Sequence, residues 1–192
     1  STDSTNTELL KYDCVEILYE SKRGGKAAAL NRGISHVTTP LIVFTDANTM
    51  INSTAILEIV SLFSSPNVGC VACEKRIAMN SRDSASAGGE GIYWKYESKL
   101  KELDARLFTA VGVAGELYAI RRELYESIEN DTLLDDFVLS MKIAGKGYKI
   151  EYCKSAFAVE SGSYDMKEER KRKIRIAAGG FQAIYRLQGL LN

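Results

Sequence analysis

The segment Leu41-Ile42-Val43-Phe44-Thr45-Asp46-Ala47-Asn48 runs four apolar residues into a carboxylate and, two positions on, a carboxamide. Both side chains carry hard oxygen donors, the kind that suits Mg²⁺ or Mn²⁺ bridging a phosphate. Asp46 and Asn48 are therefore candidate metal ligands in a site for a nucleotide diphosphate, although an Asp/Asn pair after a strand is also ordinary turn chemistry. Gly24-Gly25-Lys26 precedes an Ala-rich helix. Such glycines let a backbone approach a ligand closely, the helix-terminal N–H groups favour phosphate, and Lys26 adds a positive charge. The spacing is not that of a Walker motif, and a plain glycine turn fits equally well. Asp135 and Asp136 stand together at a helix start, pointing about 100° apart, so one can face a cleft while the other caps or pairs. A catalytic role requires one of them to take a proton from a hydroxyl nucleophile.

The last group is basic. Lys167, Arg170, Lys171, Arg172, Lys173 and Arg175, with Glu168 and Glu169 among them, lead into Ile174, Ala177, Ala178, Phe181, Ile184, Tyr185 and Leu187 at helical spacing. A diphosphate contact followed by core packing and an interfacial helix on a membrane are both open readings. Cys70 and Cys73 have Cys-x-x-Cys spacing, but residues three apart on a strand face opposite ways and no second pair exists, so neither metal nor dithiol chemistry is expected.

The elements that must position these groups alternate along the chain. Short helix 4–12, strand 15–19, helix 26–34 and strand 41–45 come first. A helix at 53–63 capped by Ser53, with Ile56, Leu57, Ile59, Val60 and Phe63 on its apolar side, leads to a strand at 68–73. After a Ser/Ala/Gly-rich loop at 80–89 come a helix at 92–106, an extended stretch at 111–120 and a helix at 133–144 ending at Gly145. Strands at 148–152 and 156–160 and a long helix at 166–190 complete the series. The apolar run before Asp46 predicts a strand covered on both faces in a mostly parallel central sheet, with Asp46 at its carboxyl end. Alternating strands and helices predict a three-layer α/β architecture over a single domain, 1–192.

The 192 residues are 45% hydrophobic and 26% charged, with 25 basic against 25 acidic residues. That size supports one sizeable core, and the balanced charge gives no global pull toward nucleic acid. No apolar run is long enough to span a bilayer. A chain opening at Ser1 without a signal peptide reads as a soluble piece of a longer protein, and four scattered cysteines fit a reduced compartment.

Read in order, these segments resemble the family 2 glycosyltransferases, particularly the membrane-bound branch of polysaccharide synthases with the GT-A fold. Gly-Gly-Lys26-Ala-Ala-Ala-Leu-Asn31-Arg-Gly is similar to that family's lysine–asparagine helix start. Thr45-Asp46-Ala47-Asn48 resembles its Asp-x-Asp motif, with Asn48 in place of the last Asp. Gly115-Glu116-Leu-Tyr-Ala-Ile-Arg121-Arg looks like its acceptor segment, and Thr132-Leu-Leu-Asp135-Asp136-Phe-Val-Leu its Glu-Asp motif. The processive Gln-x-x-Arg-Trp signature is present only as Arg172-Lys-Ile-Arg175-Ile176.

The resemblance implies an inverting transfer of a sugar from a nucleotide diphosphate, a UDP-sugar by expectation, to a hydroxyl of a carbohydrate or lipid-linked acceptor. Asp136 is then the general base, and Asp46 and Asn48 hold Mg²⁺ or Mn²⁺. Lys26, Asn31, Asp46, Asn48, Arg172 and Arg175 bind the nucleotide sugar, and Glu116, Trp94 and Asp135 lie on the acceptor side. Asp46 and Asp136 are expected to line one cleft, their carboxylates within roughly 12 Å of each other. The family's two opening strands are missing by this reading, which leaves the fragment inactive and exposes a sheet edge to self-association. It also predicts a last helix that packs loosely or docks on a neighbour. The parent would act in polysaccharide or glycolipid synthesis at the cytoplasmic membrane face, held there by segments outside this chain. A non-catalytic scaffold of the same fold and a sugar nucleotidyltransferase are the competing readings.

Overall fold

Alternate residues along the strands separate into two apolar clusters, one on each face of a single sheet. Ile42, Cys70, Ala72, Tyr118, Ile120 and Ile150 belong to one, and Val71, Cys73, Leu117, Ala119, Cys153 and Ala158 to the other. This is the period-two alternation of a pleated strand covered on both sides. The computed structural model describes residues 4–22, 24–78, 86–161 and 166–190, with the side chains of 78, 86–95, 161, 166 and 168 outside that description. The helices are α1 Thr5–Leu9, α2 Gly25–Ile34, α3 Ala55–Leu62, α4 Ser86–Leu107, α5 Asp135–Gly145 and α6 Met166–Arg186. The strands are β1 Leu41–Thr45, β2 Thr49–Ile51, β3 Val68–Ala78, β4 Leu117–Arg121 and β5 Lys149–Ser161.

Three layers result. Leu139 and Ile143 of α5 and Ala105 of α4 fill the first cluster, and Ala55 and Ile59 of α3 fill the second. A third, smaller cluster joins Ala27 of α2, Val138 of α5 and Ala183 of α6 with Ile128. At about 25 cal/mol per Å² of apolar surface, burying each large side chain in these clusters contributes about 1.5–3 kcal/mol.

The sheet order is β1-β4-β3-β5-β2. β3 and β5 run parallel, whereas β1–β4, β3–β4 and β2–β5 are antiparallel. The sheet is therefore mixed, not mostly parallel, and β1 is an edge strand among the described residues. The apolar run of β1 reports that both faces are covered, with Ile42 and Phe44 packed on one side and Leu41 and Val43 on the other. It carries no information about the direction of a neighbour.

Four further expectations are corrected. Residues 15–19 form no strand, and Val15 and Tyr19 are exposed, because their β-branched and aromatic residues meet no ladder to join. Thr54, not Ser53, is the N-cap of α3, and no side chain caps it; Asn52 instead donates to Thr54 Oγ1 at 3.0 Å. On α3 only the stripe of Ala55, Ile59 and Phe63 is buried, while Ile56, Leu57 and Val60 are exposed. The strands expected at 148–152 and 156–160 are one strand, bulged where Cys73 opposes Cys153 and Glu74 opposes Phe157. Three-residue β2 follows the Asp46 turn and gives too short a pattern to read from sequence. Cys70 and Cys73 do face opposite sides.

Candidate active site

Asp46 follows the last residue of β1 and begins a turn closed by Thr49, whose N–H and hydroxyl donate to Asp46 O at 3.2 and 2.8 Å. The antiparallel register sets Thr45 opposite Leu117. The end of β1 therefore meets the beginning of β4, and Thr45 Oγ1 donates to Glu116 O at 3.0 Å. The Asp46 turn and the Gly115-Glu116 segment become neighbours through this one pairing.

α2 enters from the other side. Gly25 adopts φ +83, a left-handed conformation that favours glycine, and the next residue extends its side chain to the sheet. Lys26 Nζ donates to Asp46 Oδ1 at 2.8 Å and lies 3.7 Å from Asp135 Oδ2. Gly115 completes the enclosure: a Cβ there would stand 2.8 Å from Asp136 Oδ2 and 3.5 Å from Lys26 Nζ. Asp46, Asp135 and Asp136 thus gather around one ammonium, although 90 positions separate the first from the last in sequence. Burial opposes the Lys26 charge, but Asp46, Asp135 and Asp136 outweigh it and raise its pKa.

The two acids of α5 have different surroundings. Asp135 is buried, and its Oδ2 has no hydrogen-bond partner among the described residues, so it faces Lys26 rather than an open acceptor surface. Asp136 is half-buried and accepts from Phe137 N at 2.8 Å. Burial and the adjacent Asp135 charge push its carboxyl from 3.8 up to about 6, against the pull of the Phe137 N–H and Lys26. A carboxylate raised toward neutrality is a stronger base than an exposed one and suits abstraction of a hydroxyl proton. Tyr118 stacks on Phe44 with ring centroids 4.6 Å apart. Its phenol lies buried without a partner among the described residues, and burial together with Asp135 and Asp136 raises its pKa well above the ordinary value.

A second polar group adjoins the first. Lys75, on β3 and only 3% exposed in its side chain, donates to Glu116 Oε1 and, at 2.6 Å, to Glu160 Oε2. Burial works to raise the Glu160 carboxyl, but its bonds to Lys75 and Asn48 and the charges of Lys75 and Arg172 hold it below the usual carboxylate value. Asn48 Nδ2 donates to Glu160 Oε1 at 3.0 Å, and Arg172 approaches Glu116 Oε1 at 3.8 Å. Sequence reasoning passed over Lys75 and Glu160. The available signal was a charged residue continuing the apolar strand Val68 to Cys73, since a lysine at an inward position requires paired anions.

The remaining candidates are less direct. Asn31 spends its carboxamide on the segment leading to α5, donating to Ile128 O at 2.7 Å and accepting from Tyr125 Oη at 2.8 Å and Ile128 N at 3.1 Å. It braces the site from behind. Arg175 donates to Leu133 O at 3.2 Å. Trp94 lies outside the described side chains. The expectation of a loosely packed last helix fails only for the end of α6, where Gln182 bonds Leu133 N and Asp131 O and Arg186 bonds Asp131 and Thr132. The preceding stretch 173–178 is exposed all round, Ile174 and Ile176 included, and Phe181, Ile184 and Tyr185 are exposed beyond it.

The donor set fits a hard cation. Asp46 and Asn48 offer oxygens at a turn open to solvent, and no group of three or more His, Cys, Asp or Glu side chains encloses a metal among the described residues. One or two protein oxygens completed by phosphate and water is the usual environment of Mg²⁺ and its analogues, not a protein cage.

The mixed sheet, with helices on both faces and this site at one end of β1, is the GT-A fold of nucleotide-sugar transferases. The mannosyltransferase PcManGT from Pyrobaculum calidifontis, solved with GDP-Man and Mn²⁺, superposes with a TM-score of 0.77 at 24% identity, over 97% of this chain and 52% of that one. Glucosyl-3-phosphoglycerate synthase from Mycobacterium tuberculosis, solved with Mn²⁺ and UDP-Glc, gives 0.55 at 13% identity, over 95% of this chain and 64% of that one. The chain belongs to the family described as glycosyltransferase like family 2, whose model matches residues 11–179. Among curated relatives, the O-antigen chain rhamnosyltransferase WbaN of Salmonella anatum is 23% identical over 181 residues, covering 90% of this chain and 57% of the relative. RfbN of Salmonella typhimurium, also an O-antigen chain rhamnosyltransferase, is 24% identical over 139 residues, or 69% of this chain and 44% of the relative. The chain spans about half the length of these relatives.

Proposed function

We propose that this chain is the catalytic part of an inverting glycosyltransferase that moves a hexose or deoxyhexose from a nucleotide diphosphate to a hydroxyl of a growing polysaccharide or glycolipid. The observation that carries this is the convergence of Asp46, Asp135 and Asp136 on Lys26. Membership of family 2 and likeness to rhamnosyltransferases of O-antigen chains support it.

Asp46 and Asn48 would hold Mg²⁺ or Mn²⁺, which when bound neutralises charge growing on the departing diphosphate. Lys26 adds a fixed positive charge beside the same phosphates. Asp136 accepts the acceptor's hydroxyl proton as that oxygen bonds to the anomeric carbon. The bond from that carbon to the diphosphate oxygen breaks on the opposite side, and the configuration inverts. Asp135 keeps Lys26 in place between the two halves of the site, and Glu116 and Arg172 flank the acceptor approach. The basic start of α6 and its exposed Phe181, Ile184 and Tyr185 support a location against the cytoplasmic membrane surface. The side of β1 that has no partner among the described residues supports contact with a further strand from the same or another chain.

The test uses the full-length gene product. Asp136→Asn is expected to abolish sugar transfer while Mn²⁺-dependent binding of GDP or UDP persists, and Asp46→Ala to remove that binding. Transfer undiminished in Asp136→Asn rejects the base.

A further inference from the structure

We propose that Glu160, clamped by the buried Lys75, is the positioning residue that keeps the oxygen of the Asn48 carboxamide available to the donor's cation. The inference rests on the metal-assisted reading above and deepens it.

A carboxamide has two ends of nearly equal shape, and only its oxygen can ligate a hard cation. Left free, Asn48 would present either end. Its nitrogen stands 3.0 Å from Glu160 Oε1. A carboxylate only accepts hydrogen bonds, so the end of Asn48 that meets Glu160 has to be the NH₂ group. The oxygen is left on the other branch of the amide, away from Glu160. The orientation is dictated by donor and acceptor chemistry.

Glu160 can impose this because it is itself fixed. Its second oxygen, Oε2, accepts from Lys75 Nζ at 2.6 Å. Lys75 is held in turn by Glu116, on the segment bonded to Thr45. One carboxylate therefore uses one oxygen on the anchor and the other on the ligand, the arrangement by which outer partners orient metal ligands. The same contact accounts for the amide at position 48. An aspartate there would place two carboxylates against each other, whereas asparagine supplies a donor to Glu160 and still offers an oxygen.

The test is a double-mutant cycle on the full-length gene product, with Mn²⁺ affinity read by electron paramagnetic resonance in the presence of GDP or UDP. Glu160→Gln gives position 160 an amide that can present either end, and is expected to weaken Mn²⁺ binding about tenfold. In the Asn48→Ala background the same change is expected to cost less than about twofold, because no carboxamide remains to orient. An equal loss in both backgrounds shows Glu160 acting through its charge or through the fold, and overturns the inference. No loss in either does the same. If Glu160→Gln does not fold, the charge-balanced Lys75→Met/Glu160→Gln pair replaces it in the same cycle with the same readings. A wild type that binds no Mn²⁺ with either nucleotide defeats the metal-assisted reading itself, whereas wild-type binding without the coupling defeats only the role of Glu160.

Discussion

Replacing Asp136 by Asn is expected to make the protein more stable at alkaline pH while destroying its function. Asp136 is partly buried beside Asp135, and its carboxyl is raised from 3.8 to about 6 in the folded state. A raised folded pKa means that folding favours the protonated form. The associated stability is fully present below about pH 4 and is lost as pH rises through about 6. At about 1.4 kcal/mol per tenfold change in proton affinity, the ionised carboxylate costs the folded state about 3 kcal/mol, which partial exposure trims to about 2 kcal/mol. Asn carries no charge and keeps the acceptor for Phe137 N. Urea unfolding of both proteins at about pH 4 and about pH 8 reads the difference. Near-equal stability is expected at the lower pH, with the variant ahead by about 2 kcal/mol at the higher. A gap independent of pH, or a variant less stable at about pH 8, refutes the claim that Asp136 is held ionised at a cost.

Transfer by the full-length protein is expected to rise with pH through about 6, since the base acts as its carboxylate, and Lys26→Met is expected to move that rise upward by removing a cation that lowers the Asp136 pKa. A pH–rate profile of both proteins checks this. Gly115→Ala puts a methyl 2.8 Å from Asp136 Oδ2, the movable end of a side chain, so turnover is expected to fall at least about tenfold with little change in unfolding temperature. Asn31→Ala removes the three hydrogen bonds that hold Tyr125 and Ile128, with an expected loss of about 2 kcal/mol in urea unfolding.

The helices and their order were legible because their apolar periodicity and flanking residues agree, as with the Ala-rich α2 and the acidic start of α5. Strand partners were not. The pattern of Leu41 to Phe44 is the same whether its neighbour runs parallel or antiparallel, and Val15 to Tyr19 has strand composition without a place in the sheet. In the site, Lys26, Asp46, Asp135 and Asp136 were legible by type and order as candidates, and the structure brings them together. The direction of each polar side chain was not legible, because Asn31 and Asn48 are identical in sequence terms, yet one braces a loop and the other stands in the turn after Asp46 and donates to Glu160. Lys75 and Glu160 escaped for a related reason: a lysine in a strand reads as a solvated residue until its depth and its two carboxylates are seen.

The pairing of β1 with β4 has a consequence for how the gene can change. Thr45 stands opposite Leu117, so the carboxyl end of one strand and the amino end of the other are measured against each other in steps of about 3.4 Å. Adding or deleting one residue inside 41–45 or 117–121 would shift Asp46 relative to Glu116 by one such step and turn every following side chain to the opposite face. No loop lies between them to absorb the change. The exposed stretch 10–16 after α1 and the tip after α3 carry no such rule of measure. Length variation in functional versions of this chain is thus expected to collect in those segments, with both strands constant in length even where their residues differ.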